Sequence, residues 1–103
     1  MNTMNKKEKM ILMNNMSSNL SLLRTKIGLS QNELADLVGL TRQTISSLET
    51  GQRKMTWSVF LALILIFFRN EPTKKLLVAL NIYTPELNSY LNISKTNINN
   101  KSA

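Results

Sequence analysis

Three observations predict an all-α fold for this chain. Apolar residues recur at spacings of three and four, with no sustained alternation of the kind a half-buried strand requires. Helix-start signals stand at intervals along the chain: Ser30 with Glu33, Thr41, Thr56, Asn70 with Glu71 and Pro72, and Thr84 with Pro85 and Glu86. The glycines, Gly28, Gly39 and Gly51, fall where the segments between those signals would end. A length of 103 residues suits one domain with a single modest core. The expectation is a compact bundle of about five helices, one further short C-terminal helix, and disordered ends.

Residues 1–15 place Lys6, Lys7, Glu8 and Lys9 before a short apolar run, MILM. That run is too short for a secretory signal, and no small-residue cleavage site follows it. The segment is expected to be a flexible basic leader, either a frayed end with a turn of helix on the core or an arm adding phosphate contacts. Ser17 or Ser18 is expected to cap the first domain helix, which would bury Leu20, Leu23 and Ile27 and stop before Gly28. Ser30 and Glu33 form a capping box for the next helix, with Leu34, Ala35 and Val38 on one face. Gly39 then supplies the left-handed turn. Thr41 caps a third helix whose inner face is Ile45 and Leu48. Arg42, Gln43, Ser46 and Ser47 are left pointing outward, all able to donate hydrogen bonds and none acidic. Two helices that cross after so short a turn need a small residue at the crossing, and Ala35 provides it.

These residues resemble the helix-turn-helix of the phage-repressor-like Cro/CI (XRE) family of DNA-binding regulators. The matching stretches are GLSQNELA at 28–35, VGLT at 38–41, Ile45, and SLETG at 47–51, within a similarity covering about residues 20–66. The resemblance implies a lambda-repressor-like fold with the helix of residues 42–50 in the major groove. There Arg42, Gln43, Thr44 and Ser47 would lie closest to base edges. It also implies phosphate contacts from Gln31, Thr41, Ser46, Thr50, Arg53 and Lys54, and a structural pair of Arg24 with Glu49. The pair would account for an acidic residue on a DNA-facing helix. One departure stands out: Met55-Thr56-Trp57 replaces the proline that commonly follows the loop in the family.

Thr56 caps the next helix, in which FLALILIFF, residues 60–68, contains no polar residue. The run is far short of the roughly 20 residues that span a bilayer, so a buried helix is expected and no membrane partner. One apolar face suffices to close a helix-turn-helix core. An all-round apolar helix needs a second cover, from the C-terminal segment or from a second copy of the chain. Two more amphipathic helices follow, through Leu76, Leu77 and Leu80 and then through Leu87 and Tyr90. The domain plan is therefore a leader at 1–15, a DNA-binding domain at 16–68, a helical extension for packing or dimerisation at 69–91, and a disordered tail at 92–103.

Composition limits the chemistry. The chain has no Cys and no His, and its net charge of +7 favours a polyanionic partner. Its carboxylates are scattered and no glycine-rich phosphate loop exists, so no enzyme, metal site or cofactor is expected. The leading expectation is a small cytoplasmic transcriptional regulator, most simply a repressor. It would bind a near-palindromic double-stranded operator as a homodimer. Two rivals stand beside it: an antitoxin-like regulator whose helices after Phe68 hold a partner protein, and an interaction module that binds no DNA.

Overall fold

The computed structural model describes residues 3–93. Six helices follow one another: α1 (Lys6–Lys26), α2 (Gln31–Val38), α3 (Arg42–Thr50), α4 (Trp57–Phe68), α5 (Glu71–Ala79) and α6 (Pro85–Leu91). No strand occurs among the described residues. The fold is the all-helical bundle expected. Of the anticipated disordered tail, residues 94–103 lie outside the described part of the chain.

The first helix corrects the sequence reading. It starts at Lys6, runs 21 residues without a break, and is capped by Asn5, not by Ser17 or Ser18. The Asn5 side chain accepts from the Glu8 amide at 2.8 Å, and Glu8 accepts from the Asn5 amide at 2.8 Å, a complete capping box. Residues 6–15 are therefore helix and not a flexible leader. The physical reason is burial: Leu12, Met16, Leu20 and Leu23 fall at spacings of four, four and three and are all buried, so one stripe continues through the supposed boundary. Met4, just before the helix, also joins the core.

At its far end α1 stops as expected, with Gly28 at a φ of +73°. Leu29 N–H donates to the Arg24 carbonyl and Gly28 N–H to that of Thr25, which satisfies two of the last carbonyls of the helix.

The apolar helix α4 is covered from within the chain. Phe60, Leu63, Ile64 and Phe67 are buried, and α1, α2 and α5 pack against it. Leu65 remains 64% exposed, and Val78 on α5 is 57% exposed. Asn70 holds the N-cap position of α5, but its side chain caps nothing there and donates instead to the Ile66 carbonyl at 2.9 Å. Thr73 makes the junction: fully buried, its hydroxyl lies 2.7 Å from the Phe67 carbonyl and 3.1 Å from that of Asn70. The end of α5 turns on Asn81, which adopts a φ of +57°. Ile82 N–H then donates to the Leu77 carbonyl at 2.8 Å, and both side chains are buried, as this helix ending favours.

Candidate nucleic-acid interface

The candidate surface is built by α2, α3 and the loop after α3. Ser30 accepts from the Glu33 amide at 3.0 Å and Glu33 accepts from the Ser30 amide at 2.8 Å, which fixes where α2 begins. Gly39 ends it at a φ of +73°, and Leu40 N–H returns to the Ala35 carbonyl at 2.9 Å. A Cβ at Gly39 would meet nothing within 4 Å, so the backbone angle and not crowding calls for glycine here. Ala35 is buried on α2, which packs against α3. The Thr41 hydroxyl accepts from the Thr44 amide at 3.1 Å and starts α3. Ile45 and Leu48, both buried, anchor α3 in the core, so the helix can present only its opposite face.

On that face Arg42, Gln43 and Thr50 are exposed, whereas Thr44, Ser46 and Ser47 are half-buried. Three hydroxyls have local partners. The Thr41 and Thr44 hydroxyls lie 3.0 Å apart, and that of Thr50 bonds back to the Ser46 and Ser47 carbonyls at 3.1 and 3.3 Å. Gln43 is exposed at the start of the helix, and its amide has no side-chain partner among the described residues.

A connected set of polar side chains lies behind this surface. The Arg24 guanidinium donates to Glu49 through Nε at 2.6 Å and through Nη2 at 3.2 Å, a two-pronged ion pair whose side chains are only 12% and 8% exposed. Its Nη1 donates to the Leu29 carbonyl at 2.8 Å. Glu49 also accepts from Gln31 Nε2 at 3.0 Å, and Gln31 Oε1 accepts from Arg42 Nη1 at 3.3 Å. Four residues on three helices thus form one relay from α1, across α3 and the start of α2, to the first residue of α3. The link from Gln31 to Glu49 and on to Arg42 is not expected from the sequence. Both ends of the Gln31 amide are engaged, so what remains open at the start of α2 is its backbone. A carboxylate near DNA is thereby tolerated, because the Arg24 guanidinium offsets the charge of Glu49 and the Gln31 amide adds a further hydrogen bond.

The loop 51–56 follows. Gly51 takes a φ of +79°, and Arg53 N–H donates to the Ser47 carbonyl at 3.2 Å, folding the loop back on α3. Arg53 and Lys54 are both exposed beside the helix. In place of a proline, the buried Met55 side chain anchors the loop, and the Thr56 hydroxyl caps α4. Arg42 and Gln43 on α3, and Arg53 and Lys54 on the loop that folds back on it, are thus all exposed, and none is acidic.

The family model described as "Helix-turn-helix" matches residues 20–63, from the middle of α1 into α4. No curated protein and no solved structure gives a match. Residues 20–63 therefore carry a helix-turn-helix segment, of the Cro/CI-like (XRE) type found in DNA-binding transcription regulators. No described helix is long and apolar enough to cross a membrane.

Proposed function

We propose that the protein is a sequence-specific transcriptional repressor that acts in the cytoplasm as a homodimer on a near-palindromic operator. The observation that carries this reading is the start of α3. Arg42 and Gln43 stand exposed on a helix whose other face is locked into the core, with Arg42 steadied by the relay through Gln31. A helix so mounted fits the major groove and reads with its first residues. Gln43 can bond adenine N6 and N7 together, and Arg42 can take guanine O6 and N7 or a phosphate. Thr44 and Ser47 follow along the same groove. Thr41, Ser46, Thr50, Arg53 and Lys54 lie nearer the strands, and the free backbone amides at the start of α2, beside Gln31, suit a phosphate.

A dimer is supported by what the fold leaves uncovered. Leu65 and Val78 remain exposed on α4 and α5 although the rest of the apolar helix is packed. A second copy of the chain would cover them and present two recognition helices about 34–36 Å apart. Random-site selection with the purified protein tests both parts. The expected outcome is enrichment of near-palindromes with half-sites one helical turn apart. Enrichment of single half-sites would reject the dimer, and no enrichment at low salt would reject sequence-specific binding.

A further inference from the structure

Side chains from both segments outside residues 20–63 meet at the first residue of α4. Trp57 stacks on Phe60 with ring centroids 4.7 Å apart and meets Tyr90 of α6 edge-on at 6.1 Å. The Lys9 ammonium, from the first half of α1, sits 5.2 Å from the Trp57 ring centroid and 5.0 Å from that of Tyr90. A cation shared by two rings is attracted to both, most strongly to the indole. All three side chains are half-buried, which strengthens that attraction. Trp57 stands three positions after Lys54, with only the buried Met55 and the cap residue Thr56 between them.

We infer that Lys9 and Tyr90 are positioning residues for DNA binding: by clamping Trp57 they fix the start of α4 and so hold the loop bearing Arg53 and Lys54 in place for phosphate. One end of that loop is tied to α3 by Gly51 and by the Arg53 amide. The other end is tied by Met55, Thr56 and the clamp. The loop has no proline to stiffen it, so its conformation depends on these two anchorages. The clamp also explains the length of α1: a helix beginning at Ser17 would leave Trp57 without its cation. The inference rests on the DNA-binding reading above, because its consequence is a phosphate contact.

The test measures DNA affinity against salt concentration for five variants. Tyr90→Leu keeps the net charge, and Lys9→Met removes the cation from a half-buried site. Each is expected to weaken binding about two- to tenfold on every sequence, as a displaced phosphate contact would. Each is also expected to lower the salt slope by about one, as loss of one phosphate contact does. Lys9→Arg restores the wild-type values. In a Lys54→Ala background, Tyr90→Leu has no further effect on the slope. A wild-type slope in Tyr90→Leu, or an effect that adds in full to that of Lys54→Ala, overturns the inference. If the wild-type protein binds no DNA, the proposed function fails. Amide exchange at residues 53–57 then judges the clamp alone: it is faster in Tyr90→Leu if the clamp holds the loop, and unchanged exchange overturns it.

Discussion

The unit at residues 20–63 and the helices flanking it share one apolar core but differ in what is added to it. Inside the unit, local signals set each boundary: the Ser30–Glu33 box, Gly39, the Thr41 cap and Gly51. A polar relay of Arg24, Glu49, Gln31 and Arg42 then ties the helices together. In the flanks the bonding is mostly apolar and aromatic. Leu77, Ile82 and Leu87 are buried, Phe68 packs on Tyr83 with centroids 4.6 Å apart, and Lys9 and Lys74 lie over rings. The contrast follows from the tasks. A reading surface needs side chains aimed in fixed directions, which hydrogen bonds supply, whereas a cover over an apolar helix needs area, which leucines and rings supply.

If the flanks belong to the same core, the two regions should fail together. Leu34→Ala in α2 and Leu87→Ala in α6 each remove a fully buried side chain and should each cost about 2–5 kcal/mol. Urea unfolding should remain one transition in both. Leu87→Ala with wild-type stability would make α6 an appendage and end the comparison. Next in size, Arg24→Ala should cost about 3 kcal/mol, the low end for stranding one partner of a buried pair. It should also weaken DNA binding, because Glu49 is released beside the phosphates. Thermal unfolding together with a binding titration checks both effects, and loss of stability with unchanged affinity would confine the relay to a folding role.

Gln43→Ala should leave stability unchanged and cost about 1–3 kcal/mol of binding on the selected site. Lys54→Ala is the smallest change, a uniform weakening on all sequences with the salt slope lower by about one. The two variants sharpen the division between reader and clamp, since only the first should alter preference among sequences.

Much of the unit is legible in the sequence because its signals are short in range. Ser30 with Glu33, Gly39 and Thr41 act on neighbours within four residues, and the structure has each in that position. The first half of α1 is equally local in principle. Asn5 and Glu8 carry the capping-box spacing, and Leu12 and Met16 extend the stripe of Leu20, but adjacent lysines give the stretch the look of a solvated end. The Gln31 bonds are a different matter. They join residues 18 and 11 positions apart, across a crossing whose angle only the folded chain fixes. The Lys9 clamp, which spans more of the chain still, is no more visible from residue order alone. The second cover of α4 is half legible: its apolar run demands one, and only the packing decides that α1 and α5 provide most of it.

The most direct test of the account is a titration of wild type and Gln43→Ala against the selected duplex and a set of duplexes each changed at one base pair. The account predicts that wild type discriminates at every position of the half-site, while Gln43→Ala becomes indifferent at one position in each half and keeps the rest. If Gln43→Ala keeps the full wild-type pattern of discrimination, the start of α3 is not what reads the sequence.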